Sequence, residues 1–378
     1  MGNPERELPS VVQVVGTNGK GTTAVALAAA FEAMGRPAGA FLSPHVLSYT
    51  ERVLLGGGRV SEADFATAMG QTIAIADRNG IPVSQFEILT AGALAMFAEA
   101  GLSLAVLEAG LGARYDATSV ARPSAVVLTN VALDHTEYLG DTVEEIAEEK
   151  LASLTPGATL YLGTNDPRVA NIARARCRLI GADLVDAAGS VGNTTSRDLP
   201  PYAARDVDLG LEVAESLLAT SLPTEVRERI TLAVRASLPG RFEVRELDGV
   251  PVVLDGGHNA AGVSAAFGAV RDTYRGRPLG VVFGVLHEKD VASMLSGFMD
   301  EAHAIVLTRP ESERASDPAQ VVRACDPIDR RGGRALVVQD PVEALGVAVE
   351  TMRDVNGVVL VTGSLSTVAP VLGWLREE

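Results

Sequence analysis

The sequence predicts an α/β protein built from two sheet domains, and three observations carry that prediction. Strand-like apolar runs alternate with helix-like stretches almost throughout, which is the pattern of parallel sheets flanked by helices. The chain has 378 residues, 47% of them hydrophobic, and so exceeds the roughly 250–300 residues at which a single core stops growing. The pattern also restarts around Ser237-Leu-Pro-Gly-Arg241, which divides the chain into domains 1–237 and 238–378.

The first strand is 11–15, four valines around the polar Gln13. It runs into Gly16-Thr17-Asn18-Gly19-Lys20-Gly21-Thr22 and then an apolar-periodic helix over 22–34. Two glycines allow a tight turn, and N–H groups at a helix start joined by one lysine make a cradle for phosphate. The strict Walker spacing is absent: Val14 stands where its first glycine belongs, and Gly21 separates Lys20 from Thr22. A tight turn with a solvated lysine is the plainer alternative.

Further strands are predicted at 38–42, 103–108, 125–130 and 158–162. Helices are predicted at 62–78, 85–100 and 143–153, the first of them capped by Ser61. The stretch 189–202, rich in Gly, Asn, Thr, Ser and Pro, reads as a surface loop. Short helices at 206–217 and 224–236 close the first domain. The second opens with a hairpin, 242–247 and 250–254, turning at Asp248-Gly249. Strands at 280–283, 304–308, 335–339 and 358–361 alternate with helices, one of them starting at Glu288-Lys289-Asp290 with Asp290 as its cap. Glu311-Ser-Glu-Arg314 reads as a solvated loop.

Composition narrows the function. The 32 basic and 48 acidic residues give a formal charge of -16, which disfavours nonspecific binding to nucleic acid or anionic membranes. Cys177 and Cys325 lie far apart without metal-ligand spacing and read as buried free thiols of a reducing compartment. There is no leader-like N-terminus and no apolar run of membrane-spanning length. The expectation is a cytoplasmic, globular, monomeric protein.

Polar clusters recur at predicted strand ends, where ligands bind in open α/β sheets. After the second strand come Ser43-Pro44-His45 and then Glu51-Arg52. The third ends in Glu108-Ala-Gly-Leu-Gly-Ala-Arg114-Tyr-Asp116-Ala-Thr118-Ser119, and the fourth in Asn130-Val-Ala-Leu-Asp134-His135-Thr136-Glu137. With the phosphate loop, these form one candidate site. Glu108 either caps its own turn or offers Mg²⁺ a hard carboxylate. His135 by residue type is more often a satisfied histidine than a magnesium ligand, and both readings stand at this point, while Asp134 serves equally well as a cap or a loop anchor. Lys150 ends the acidic helix, where a cation meets the helix C-terminus favourably. Alternatively it shares a face with Ile146 and turns inward. The second domain adds Arg241, then Asp255-Gly-Gly-His258-Asn259 and Thr362-Gly-Ser364, each pair or triplet at a strand end.

Taken together, these blocks resemble the folylpolyglutamate synthase and dihydrofolate synthase family, within the Mur-type amide ligases. The matching stretches are Gly16 to Thr22, Ser43-Pro-His45 with Glu51-Arg52, Phe86-Glu87-Ile-Leu-Thr90 and Glu108 to Thr118. Leu133-Asp-His-Thr-Glu-Tyr-Leu-Gly140 with Glu149-Lys150, Pro239-Gly-Arg241, Asp255 to Asn259 and Thr362-Gly-Ser-Leu365 complete them in family order. The resemblance implies a P-loop ATPase-type domain followed by a Rossmann-like domain. It also implies an ATP- and Mg²⁺-dependent ligase that activates a folate or dihydropteroate carboxylate as an acyl phosphate and joins it to L-glutamate.

Carried over by position, Thr17, Asn18, Gly19, Lys20, Gly21 and Thr22 bind ATP, with Arg241 and Asp255 adding contacts. Thr22 and Ser43 hold one Mg²⁺, while Glu108 and His135 hold a second. Lys150 is the position of a carbamylated lysine, and His258 and Ser364 receive glutamate. Lys20, His135 and Lys150 carry the catalytic roles. Ala113, Ser119, Gly257 and Ala260 depart from the family's Gly, Asn, Ala and Pro. The chain also starts just before the first strand, whereas the family carries a helical stretch upstream that contributes to the pterin end, so the expectation is a truncated or misassigned start. Another Mur-type amino-acid ligase, or a catalytically silent nucleotide-binding module, is the alternative.

Overall fold

The structure, a computed structural model, describes residues 2–8, 10–190, 199–324 and 335–377. Cys325 and most of the predicted loop at 189–202 lie outside the described residues. The chain divides into two compact units, residues 1–198 with 202–238 and residues 199–201 with 239–378.

In the first unit β1 (Val11–Val15) leads into α1 (Lys20–Ala33), then β2 (Ala38–Phe41), β3 (Val53–Leu55) and β4 (Gly58–Arg59). There follow α2 (Glu62–Asn79), α3 (Gln85–Glu99), β5 (Leu104–Glu108), β6 (Ala125–Leu128), α4 (Thr136–Leu139) and α5 (Val143–Lys150). The unit closes with β7 (Thr159–Leu162), α6 (Pro167–Ile180), β8 (Asp183–Asp186), α7 (Pro201–Leu218) and α8 (Thr224–Ser237).

Among the described residues its sheet has eight strands in the order β4-β3-β2-β5-β1-β6-β7-β8. The pairs from β2 through β8 are parallel, while β3 and β4 run antiparallel at one edge. Strands buried on both faces are expected to be apolar throughout, and β1, β5 and β6 are wholly buried. One face packs Phe41, Leu107, Leu89, Ala93 and Phe97. Another core joins Leu128, Leu160 and Leu162 to Ala147, Val169 and Ala173 of α5 and α6.

Gln13 is the exception inside β1. Its side chain is fully buried, and its amide donates to Thr118 Oγ1 at 2.7 Å and to Ser119 Oγ at 3.0 Å. The single polar residue of the strand therefore anchors the turn that follows Glu108. Cys177 is a buried thiol, unbridged among the described residues. Ser61 caps α2 by accepting from Asp64 N–H, as its residue type predicts.

The second unit contains β9 (Glu243–Leu247), β10 (Val250–Leu254), α9 (Ala260–Thr273), β11 (Leu279–Phe283), α10 (Val291–Ser296), β12 (Ala304–Leu307) and α11 (Pro318–Ala324). It continues through β13 (Ala335–Val337), α12 (Pro341–Arg353), β14 (Val358–Thr362) and α13 (Leu365–Trp374). The sheet order is β13-β12-β11-β14-β10-β9, parallel except for the β9–β10 hairpin. Positive φ at Asp248 and Gly249 makes the two-residue hairpin turn, and Asp290 caps α10.

The differences from expectation are local. Both sheets are parallel in their centres but mixed at an edge. The helices α7 and α8 are 18 and 14 residues long rather than short. The predicted helix 143–153 is α-helical only to Lys150 and tightens into a 3₁₀ turn, Leu151–Ser153. No helix among the described residues is long and apolar enough to cross a membrane.

Candidate active site

The loop after β1 is fixed on both sides of its backbone. Thr17 N–H donates to Asn130 O at 2.9 Å, and Thr17 Oγ1 accepts from Ala132 N–H at 3.0 Å. Asn130 embraces Asn18: its Oδ1 accepts from Asn18 N–H at 3.1 Å, and its Nδ2 donates to Asn18 O at 2.9 Å. Thr129 Oγ1 adds a second donor to that carbonyl at 2.7 Å. Gly16 and Gly19 both have positive φ. A Cβ at Gly16 would collide with Thr129, and one at Gly19 with the Asp206 carboxylate. Only glycine meets both demands, the turn and the close approach.

This loop delivers the chain into the first turn of α1, whose N-cap Gly19 supplies no side-chain acceptor. The first N–H groups of a helix lack intrahelical partners and carry its positive dipole end, so they favour an anion. Lys20 rises from the same turn, with Nζ donating to Thr17 O at 3.1 Å.

Glu108, at the end of β5, meets that turn. It is buried, its Oε2 accepts from Ser43 N–H at 2.9 Å, and the same oxygen lies 3.2 Å from a Cβ built on Gly21. Ser43 Oγ accepts from Arg52 Nη1 at 3.2 Å. A carboxylate, a serine hydroxyl and the phosphate turn thus converge, and Thr22 lies in that turn. Among the described residues no group of three His, Cys, Asp or Glu side chains stands together as a metal cage. Mg²⁺ commonly uses one or two protein oxygens and completes its shell with water and substrate phosphate. The donor set here suits an ion that arrives with a phosphate.

His135 begins α4 with positive φ, and its Nε2 lies 3.9 Å from Asp134 Oδ2. Asp134 Oδ1 also accepts from His135 N–H at 3.0 Å. Asp116 shapes the loop after Glu108, with Oδ2 accepting from Gly110 N–H at 2.9 Å and Leu111 N–H at 3.0 Å. Glu149 holds Arg114 of the same loop through its backbone N–H and Nε.

Lys150 turns inward. It is 5% exposed, and Nζ donates to Gly16 O at 2.9 Å. Burial, then the Lys20 charge, lowers its pKa to about 7, with Asp134, Glu149 and Asp116 opposing the shift. The helix-end reading of this lysine is therefore superseded, because the amine sits under the phosphate loop. Lys20, Lys150 and Lys289 are the lysines of the sequence, and the remaining cations are arginine. Two of the three amines thus stand at one loop.

In the second unit, Arg241, Asp255, His258 and Ser364 gather at the ends of the neighbouring strands β10 and β14 or beside them. Asp255 Oδ1 accepts from Gly257 N–H at 2.9 Å and Oδ2 from Phe242 N–H at 3.0 Å. His258 Nδ1 contacts Gly256 O at 3.1 Å, so this nitrogen is the donor. A Cβ on Gly256 would lie 3.7 Å from Arg241 Nη1. Ser364 caps α13 and Asn259 caps α9.

Comparison with known proteins agrees with this arrangement. The Mur ligase middle domain family matches residues 14–190, and the Mur ligase glutamate ligase domain matches residues 240–365. The dihydrofolate synthase/folylpolyglutamate synthase of Mycobacterium tuberculosis is 30% identical over 84% of this chain and 73% of its own length. The chain belongs to the folylpolyglutamate synthase/dihydrofolate synthase family of Mur ligases.

A probable bifunctional folylpolyglutamate synthase/dihydropteroate synthase of Halobacterium salinarum is 33% identical over the whole chain. This chain spans about half of that relative, 48% of its length. Among solved structures, a bifunctional folylpolyglutamate synthase/dihydrofolate synthase with Mn, AMPPNP and L-glutamate bound superposes with a TM-score of 0.82 at 29% identity. That superposition covers 99% of this chain and 91% of the other.

The Lys150 amine generates a prediction about stability. Its ordinary pKa of 10.5 in the unfolded chain falls to about 7 in the fold. Across that window the unfolded state binds more protons, so stability rises with pH. Below the folded value both states are protonated and the cost of burying the charge is complete. In CO₂-free buffer, Lys150→Met should therefore raise the urea midpoint most near about pH 6, with a gain that shrinks towards about pH 10. A pH-independent difference would show that the amine does not titrate there.

Proposed function

We propose that this chain is an ATP- and Mg²⁺-dependent ligase that adds L-glutamate to a folate, to dihydropteroate, or to both. The observation that carries the reading is the convergence of Glu108, Ser43 and the first turn of α1 above the Lys150 amine. Support also comes from the family and from the bifunctional neighbour with Mn, AMPPNP and L-glutamate bound.

The chemistry follows from electrostatics. A carboxylate must attack a triphosphate, so two anions must approach closely. The N–H groups of Gly19, Gly21 and Thr22 with Lys20 hold the β- and γ-phosphates and spread the developing charge. Thr17 and Asn18 hold the loop in place. Thr22, Ser43, Glu108 and His135 would hold magnesium, which supplies Lewis-acid stabilisation of phosphate oxygens. The acceptor carboxylate oxygen bonds to the γ-phosphorus as the bond to ADP breaks. The glutamate amine then attacks the acyl carbon, loses a proton and expels phosphate. In the second unit Arg241 and Asp255 serve ATP, and His258 and Ser364 serve glutamate.

Lys150 is proposed to carry a carbamate. An amine with pKa near 7 is substantially neutral at neutral pH, and the neutral form attacks CO₂. A C–N bond forms and the amine gives up one N–H proton to solvent, converting the neutral amine into a carbamate anion that orients the metal-binding groups. Lys150→Ala should lose turnover and regain part of it with short carboxylic acids. No rescue at any acid concentration contradicts the carbamate.

The whole chain, incubated with ATP, Mg²⁺, L-glutamate and a panel of pterin acceptors, should release phosphate only when acceptor and glutamate are both present. Mass spectrometry should find products longer by one or more glutamates. Lys20→Ala should lose on the order of 2–4 kcal/mol of transition-state stabilisation, roughly 30-fold to 10³-fold in kcat/KM. Turnover only with other carboxylates would favour a different Mur-type activity. Tight ATP binding without turnover would favour a silent nucleotide-binding module.

A further inference from the structure

The Ser43-Pro44-His45 segment and Glu51-Arg52 form a second polar assembly beside Glu108. Glu51 accepts from the N–H groups of Val46, Leu47 and Ser48 at 2.8, 3.1 and 3.0 Å and so fixes the loop between them. Arg52, 8% exposed, spans the same loop. Its Nη1 donates to Ser43 Oγ, and its Nε donates to His45 Nδ1 at 2.9 Å.

A guanidinium can only donate hydrogen bonds. His45 Nδ1 must then accept, and the ring proton resides on Nε2. The ring also stacks on Tyr49, with centroids 4.1 Å apart and planes tilted by 43°. Tyr49 is itself positioned by Gln85, whose Nε2 donates to its hydroxyl at 2.9 Å. His45 is thus fixed at one edge and on one face, while Nε2–H has no hydrogen-bond partner among the described residues. Leu47 and Tyr49 provide exposed apolar ground alongside.

We propose that His45 recognises the acceptor acid by donating its Nε2–H to a carboxylate or amide oxygen, with Arg52 as the positioning residue that fixes this tautomer. The inference rests on the ligase reading and adds a residue to it. Ser43 sits at the phosphate end of the assembly through its contact with Glu108. His45 is held at Nε of the same Arg52 guanidinium whose Nη1 reaches Ser43. Its donor therefore stands beside Ser43, at the edge of the phosphate end. A histidine kept only to satisfy Arg52 would need Nδ1 alone, so the two nitrogens can be tested separately.

The amide nitrogen of glutamine can stand where Nε2 stands, whereas the amide of asparagine reaches only the Nδ1 position. His45→Gln should leave the acceptor KM within about threefold of wild type, and His45→Asn should raise it roughly tenfold, the loss of about one hydrogen bond. The KM values for ATP and glutamate should not move in either variant. Equal losses in both, or losses confined to kcat, overturn the recognition role.

Long-range ¹H–¹⁵N spectra of the ligand-free whole chain should show His45 with its proton on Nε2 and a bare Nδ1. Arg52→Met should mix the tautomers. A wild-type ring protonated on Nδ1 overturns the positioning role. Should Arg52→Met fail to fold, the wild-type spectrum and the Gln/Asn pair still decide. These spectra need no substrate, so they separate failure of this inference from failure of the ligase reading, in which wild type shows no acceptor-dependent turnover at all.

Discussion

The grip of Asn130 on Asn18 is the constraint on which the rest of the first unit depends. β1 and β6 are parallel neighbours, so their C-terminal ends necessarily lie side by side. Asn130 converts that adjacency into two hydrogen bonds that fix the phosphate loop. A loop held this way presents its N–H groups without reorganising when charge develops, which is where electrostatic catalysis gains most. The same rigidity gives Lys150 a carbonyl to meet at Gly16 and gives Glu108 a fixed turn to face.

The charge pattern deepens this point. A protein of net charge -16 repels anions on average, so the local field must overcome the global one. It does so with the α1 dipole, Lys20 and Arg52, all held close to buried oxygens. Two of the three lysines sit here, and at Lys150 an amine can do what a guanidinium cannot: shed its proton. Arginine serves elsewhere as a permanent donor, as Arg52 does for Ser43 and His45.

Much of this was readable from the residues. The glycine spacing after an all-apolar strand announced the loop and helix, and polar clusters at strand ends announced the shared edge. What stayed hidden needed a partner in space. Helical periodicity put Lys150 on the face of Ile146 but said nothing of Gly16 across from it. Gln13 looked like an interruption of β1 until Thr118 and Ser119 explained it. The β3 and β4 strands are three and two residues long, too short for any period to register. Asp166-Pro167 carried the cap and first-turn signals of α6, yet alternation of apolar runs alone passes over it. Arg52 and His45 stood in a recognised block, but their pairing is a matter of side-chain geometry, which sequence spacing does not encode.

In the proposed reaction this loop passes a phosphoryl group to a carboxylate, a transfer that oxygen-18 follows atom by atom. With ¹⁸O in the acceptor carboxylate, each turnover that forms a new amide should release phosphate carrying one labelled oxygen. Amide product formed with unlabelled phosphate would contradict the account.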